Sequence, residues 1–184
     1  SSSFANKKET FIPHKGINHK THVRAGETKP PVNKGSEKQS IKEEYILVDG
    51  YNVIYTWENL KALAKENIDS ARDALIDILS DYTAMKGTKL IAVFDAYRLR
   101  NHKEECIEYH NINVIYTKSA QTADYYIERF AKENKNKYRI RVVTSDNIEQ
   151  VIVGSDNAFI TSSREFYDEV KNVKEEFNKR HGII

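Results

Sequence analysis

The chain has 184 residues, of which 39% are hydrophobic and 30% are charged, with a formal net charge of +2 at pH 7. This length predicts about one globular domain, and no apolar run approaches the ~18 residues of a membrane-spanning helix, so we expect no membrane partner. The single Cys106 excludes an intramolecular disulfide and a cysteine cluster for zinc, which favours a cytoplasmic location.

Residues 1–44 differ in composition from the rest of the chain. They carry nine Lys/Arg against five Asp/Glu, whereas residues 45–184 carry 20 against 22. With few large apolar residues, this segment predicts a flexible basic tail or linker, either solvated or in contact with RNA phosphates. The chain does not begin with Met, and we expect a processed, tagged or excised chain without a signal peptide.

From residue 45 the pattern alternates between short β-branched runs and helical periodicity. Asp69 or Ser70 is the expected N-cap of the longest internal helix, and Gly87 closes it. The predicted elements are strand 45–49, helix 57–65, a helix to Met85, strands 89–94 and 112–116, a helix from near Thr122 to before Asn134, strand 139–143, helix 147–153, strand 158–161, and a terminal helix to about Lys179 behind a Ser162–Glu165 capping box. This order predicts an α/β, three-layer sandwich with a central, mostly parallel sheet.

Aspartates recur where these strands end. Asp49 closes the first strand, Asp95 follows the second, Asp124 lies soon after the third and Asp146 follows the fourth. In open α/β sheets the carboxyl ends of the strands line the ligand crevice, so these side chains are expected to converge. Clustered carboxylates repel one another unless cations compensate them, and Mg²⁺ or Mn²⁺ prefers such oxygen ligands. The alternative for each residue is an ordinary turn or helix cap.

Two further residues are candidate members of the catalytic site. Asn52 follows Asp49-Gly50-Tyr51, where Gly50 permits a tight turn and the amide could orient a ligand. Arg72 adjoins the apolar stripe of its predicted helix and could pair a carboxylate or the scissile phosphate. The alternatives are an Asx turn for Asn52 and a surface side chain for Arg72.

Aromatic and basic residues near the predicted acidic edge suit a nucleic-acid strand. Cations contact the phosphate backbone while aromatic rings stack on bases. The alternative is an ordinary polar loop. The RNA-contacting candidates are Tyr51, Tyr97, Arg98, Arg100, Lys103, Lys118 and Ser145.

Other catalytic classes lack their motifs in this sequence. There is no Gly-x-x-x-x-Gly-Lys-Ser/Thr loop, no Gly-x-Gly-x-x-Gly and no Gly-x-Ser-x-Gly elbow. His102 and His110 lack zinc-type spacing. These absences argue against P-loop NTPases, dinucleotide enzymes, serine hydrolases and zinc enzymes.

Taken together, the motifs resemble the YacP-type NYN domains of the PIN-like nuclease group over about residues 44–178. The matching segments are Val48–Asn52, Val93–Ala96, Tyr116–Lys118, Thr122–Asp124, Thr144–Asp146, Glu149–Gln150 and Ser162–Glu165. The resemblance implies a PIN-like Rossmannoid fold and a divalent-metal-dependent endoribonuclease that cuts mRNA on the ribosome, leaving 5′-phosphate and 3′-hydroxyl ends. It also implies that Asp49, Asp95, Asp124 and Asp146 form the acidic cluster, with Asn52 and Arg72 accessory.

Two readings of this resemblance stay open. The chain also resembles NYN domains fused behind translation-factor GTPases. The alternative to an active enzyme is a catalytically weak or inactive RNA- or ribosome-binding module on the same fold.

Overall fold

The computed structural model describes residues 42–96, 105–118, 121–145 and 158–183. Strands and helices alternate along these ranges, as the sequence pattern predicts. The elements are β1 (Glu44–Asp49), α1 (Gly50–Thr56), α2 (Glu58–Glu66), α3 (Ile68–Lys86), β2 (Lys89–Phe94), β3 (Glu105–Tyr109), β4 (Ile112–Tyr116), α4 (Ala123–Asn134), β5 (Arg139–Val143), β6 (Ala158–Thr161) and α5 (Ser163–Arg180).

The strands of the described residues form one sheet in the order β3-β4-β2-β1-β5-β6. Parallel pairs join β1 to β2, β1 to β5, β2 to β4 and β5 to β6, and β3 alone pairs antiparallel, with β4. The prediction of a mostly parallel central sheet is confirmed.

Helices cover both faces of the sheet. Alternate residues of β1 pack into two separate hydrophobic cores. Ile46 and Val48 pack with residues of α1, α2, α3 and α5, whereas Leu47 packs with residues of α4. Since successive strand residues point to opposite faces, this split defines three layers. The buried strands are rich in Val and Ile because helices exclude water from both sides.

Several predicted boundaries need correction. Helix α1 was not predicted, because its seven residues follow β1 directly and are too few for a helical period to be recognised. The N-cap of α3 is Asn67, not Asp69 or Ser70, since its side-chain oxygen accepts from the backbone N–H groups of both. Gly87, at φ 71°, ends that helix as expected.

The remaining elements lie within one or two residues of their predicted bounds, except β3, which was not predicted. Its residues are half-exposed or exposed, as suits a strand at the sheet edge. Helix α4 includes Asn134, and the capping box of Ser162 and Glu165 at the start of α5 is confirmed. The predicted helix 147–153 and residues 1–41 of the proposed tail lie outside the described residues. None of the described helices combines the length and the hydrophobicity that a membrane span requires.

Candidate functional site

The strand order reverses beside β1. From β1 the chain builds outward through β2 to β4, and β5 then pairs on the opposite side of β1. Such reversal points form the ligand crevice of open α/β sheets, beyond the carboxyl ends of the strands. Asp49, the last residue of β1, lies at this point.

Asp49 is a buried carboxylate at the reversal point, with only 7% of its surface exposed. By strand alternation its side chain shares the sheet face of Leu47, which α4 covers. Its Oδ2 accepts a hydrogen bond of 3.3 Å from the Thr144 hydroxyl, at the end of β5. Aspartate side chains are seldom buried, so a buried carboxylate at the ligand crevice is a functional candidate.

Asp95 and Asp124 lie at the same edge of the sheet. Asp95 directly follows β2 and is half-buried. Asp124 is half-buried in the first turn of α4, the helix that covers the sheet face of Asp49. An acid there also stabilises the positive end of the helix dipole, so a structural role accompanies any catalytic one.

The described carboxylates share an edge without forming a closed ligand cage. No group of three or more His, Cys, Asp or Glu side chains is placed to hold a metal ion within the four described ranges. Asp146, the fourth predicted ligand, lies outside these ranges. The donors present are all carboxylate, hydroxyl and amide oxygens, which match hard divalent cations rather than zinc or copper.

Asn52 joins two segments that border Asp49. Its Oδ1 accepts from the backbone N–H of Ser145 at 2.9 Å and from the Ser163 hydroxyl at 2.6 Å. The Ser163 N–H in turn donates to the Ser145 hydroxyl at 3.3 Å. The side-chain oxygen of Asn52 therefore holds the end of β5 against the start of α5, and its contact with a ligand stays a prediction.

Gly50 is needed for space rather than for a turn. It is the first residue of α1, and the positive-φ glycines of the described chain are Gly87 and Gly182. A Cβ built on Gly50 would lie 2.3 Å from Cε1 of Phe94. The chain passes directly from β1 into α1 at this point without a positive φ, so the close approach of the Phe94 ring explains the glycine.

Arg72 and Tyr51 form a polar pair behind the end of β2. Arg72 Nη1 donates to the Tyr51 hydroxyl at 3.0 Å, its Nη2 pairs with Asp69, and its guanidinium lies 5.7 Å from the Tyr116 ring centroid. Burial lowers the pKa of Arg72, but its bond to Tyr51 and its other contacts raise the pKa above the ordinary value. With 12% of its side chain exposed, Arg72 is not a surface side chain.

The predicted RNA contacts are only partly described. The Tyr51 ring packs edge-on against the Phe94 ring, with 5.2 Å between the ring centroids. Lys118 and Ser145 are exposed beside the carboxyl ends of β4 and β5. Four further candidates lie outside the described residues: Tyr97, Arg98, Arg100 and Lys103. Thr117, Thr144 and Ser163 lie within the segments that carry the family resemblance, but sequence reasoning assigned them no role at this edge, because a single hydroxyl residue carries no pattern of its own.

Residues 46–182 match the model of the YacP-like NYN domain. The chain belongs to this family. It is 36% identical over 138 residues to the uncharacterised protein YacP of Bacillus subtilis (strain 168), covering 74% of this chain and 81% of that protein.

Solved structures agree with this assignment. A crystal structure of a mutant of Rae1 (YacP) from Bacillus subtilis has a TM-score of 0.63 at 36% identity, covering 74% of this chain and 79% of that one. A second Rae1 structure gives 0.60 at 34% identity, covering 74% and 78%. The predicted resemblance and the predicted α/β fold are confirmed, and the chain carries a nuclease-type domain of the PIN-like group.

Proposed function

We propose that this protein is a divalent-metal-dependent endoribonuclease that hydrolyses RNA phosphodiester bonds. The observation that carries the proposal is the buried carboxylate of Asp49 at the strand-order reversal of an NYN-type fold. Asp95 and Asp124 at the same sheet edge support it. By family resemblance the substrate is mRNA, cut on the ribosome.

The donor chemistry of this edge fits Mg²⁺ or Mn²⁺. Asp49, Asp95 and Asp124 would hold the cation directly or through water, and Asp146 would add a fourth carboxylate. Such an ion, when bound, lowers the pKa of a water ligand and stabilises phosphate oxygens during in-line displacement. Water attack of this kind would leave a 5′-phosphate and a 3′-hydroxyl.

The chain's own neutral groups would set the geometry for this chemistry. The Thr144 hydroxyl orients the Asp49 carboxylate, and Asn52 holds the neighbouring loop through Ser145. The exposed ammonium of Lys118, past the end of β4, would contact a phosphate of the bound strand. Arg72 would act indirectly, by fixing Tyr51 against Phe94.

A second function has one observation in its favour. The described ranges contain no set of three ligating side chains arranged around a common point. A domain that binds RNA or the ribosome and has lost turnover would retain the fold and the aspartates without needing that arrangement.

A cleavage assay separates the two functions. End-labelled RNA, free and bound to ribosomes, would be incubated with the protein in Mg²⁺, Mn²⁺ or EDTA. We expect cleavage with either metal, none in EDTA, and a loss of at least ~10²-fold in Asp49→Asn and Asp95→Asn, the scale on which catalytic groups act.

Asp81→Asn is the matched control, since Asp81 is an exposed carboxylate on α3. Near-normal turnover by a folded Asp95→Asn protein would contradict the proposed site. Tight RNA binding without metal-dependent cleavage by the wild type would favour the binding module.

A further inference from the structure

Thr117 is the first residue after β4, and its side chain is completely buried. It makes bonds to both chain neighbours of Asp95: its N–H donates to the carbonyl of Phe94 at 3.0 Å, and its hydroxyl accepts from the N–H of Ala96 at 3.1 Å. The segment that carries Asp95 is therefore held on both sides by one residue.

The same hydroxyl also reaches the segment that carries Asp124. Thr117 Oγ1 donates to the carbonyl of Gln121 at 2.6 Å. Gln121 immediately precedes Thr122, the N-cap of α4, and Asp124 lies in the first turn of that helix. A single Oγ atom thus joins the backbone beside Asp95 to the backbone at the start of α4.

The chemistry of this link requires a hydroxyl. One oxygen must accept from Ala96 and donate to Gln121 at once, which serine and threonine can do and valine cannot. Valine would fill the same space but leave the N–H of the fully buried Ala96 without this partner. The link from Ala96 to Gln121 would then be lost, while the backbone bond from the Thr117 N–H to Phe94 and the filled core would remain.

We propose that Thr117 is a positioning residue that sets the separation of the Asp95 and Asp124 carboxylates for a divalent cation. This role rests on the proposed nuclease function. Groups that orient metal ligands without touching the metal typically change metal affinity or activity by about 10–100-fold when replaced. Thr117→Val should therefore weaken metal binding, whereas Thr117→Ser should restore it.

The control is a second buried threonine with the same bonding. Thr83, on α3, donates to the Ser80 carbonyl at 2.9 Å and accepts from Asn111 Nδ2 at 2.7 Å. Because α3 ends just before β2 begins, Thr83 lies at the sheet edge opposite to Asp95. Thr83→Val removes an equivalent pair of bonds without touching the acidic edge.

The experiment measures Mn²⁺ binding to the RNA-free protein through the relaxation of water protons, together with kcat and KM for RNA cleavage and the melting temperature. Thr117→Val and Thr83→Val should melt at similarly lowered temperatures. Thr117→Val alone should raise the Mn²⁺ dissociation constant by about tenfold or more and lower kcat with little change in KM. If Thr117→Val does not fold, Thr117→Cys should give an intermediate loss, because a thiol is a weaker hydrogen-bonding group.

Equal Mn²⁺ affinity and kcat in Thr117→Val and Thr83→Val would overturn the positioning role, as would wild-type values in Thr117→Cys when valine is not tolerated. A wild type that binds Mn²⁺ and cleaves RNA while Thr117→Val matches Thr83→Val refutes this role alone. A wild type that does neither refutes the proposed function itself, and the role of Thr117 with it.

Discussion

Replacing Gly50 by alanine tests how closely the two aspartate-bearing strands are packed at the edge. An added Cβ would lie 2.3, 2.6 and 2.8 Å from three atoms of the Phe94 ring. That ring is fully buried and has Tyr51 edge-on at 5.2 Å and Tyr116 stacked at 5.8 Å. It therefore has little room to move away.

Two effects of opposite sign decide the size of the change. Alanine at a helical position stabilises by up to ~1 kcal/mol relative to glycine. Overpacking a filled core costs about 1–3 kcal/mol, and three contacts below 3.0 Å place Gly50→Ala at the upper end of that range. We expect a net loss of about 2 kcal/mol in the free energy of unfolding. Since Gly50 follows Asp49 and Phe94 precedes Asp95, cleavage should fall as well.

Urea denaturation of a double-mutant cycle measures this clash. Phe94→Leu removes the ring atoms nearest to the new Cβ, so Gly50→Ala should cost much less in the Phe94→Leu background than in the wild type. The reasoning fails if Gly50→Ala is as stable as the wild type, or if the two substitutions are additive.

The other predictions concern charge. Mn²⁺ should raise the melting temperature of the wild type, because an ion that binds only the folded protein stabilises it. The double variant Asp49→Asn/Asp95→Asn should show no such rise, and its metal-free form should be more stable than the metal-free wild type. A rise that persists in the double variant would count against these ligands. Glu169→Gln should lower the free energy of unfolding by about 2–3 kcal/mol at neutral pH, because the side chain of Arg141 is 10% exposed and would lose its bidentate partner. Replacing Glu169 and Arg141 together by Met and Leu should cost far less than Glu169→Gln alone. Equal losses in the two variants would refute the pairing. Burial raises the pKa of Glu169, but bonds from Arg141 and Tyr82 outweigh it and leave the pKa below its ordinary 4.5. The stabilisation by Glu169 is therefore present above pH 4.5 and lost as the pH falls through the lowered pKa. The loss of stability with falling pH should then be smaller in Glu169→Gln than in the wild type.

The fold was largely predictable because its signals are local. The central strands β1, β2, β4 and β5 are β-branched runs buried on both faces, which stand out against the helical periodicity around them. The elements missed lack such signals. The edge strand β3 has no buried residue and no regular polar–apolar alternation, and α1 is shorter than two helical periods.

For the candidate site, the sequence pointed to individual residues but not to the bonds between them. A strand-end aspartate is visible in the sequence, and parallel topology brings Asp49 and Asp95 to one edge. The bonds that set their surroundings join distant positions: Asn52 lies 93 residues from Ser145 and 111 from Ser163. No local pattern encodes such pairs, since each becomes a neighbour only after the sheet has formed.

These long-range bonds also separate charge from geometry at the acidic edge. The hydroxyls of Thr117 and Thr144 are neutral, so they orient the backbone beside Asp95 and the carboxylate of Asp49 without neutralising either acid. Replacing Asp49 or Asp95 by asparagine therefore removes a charge at nearly constant shape. Thr117→Val instead shifts the position of the carboxylates at constant charge. A metal-dependent nuclease requires both, so each class of variant should impair Mn²⁺ binding and cleavage on its own.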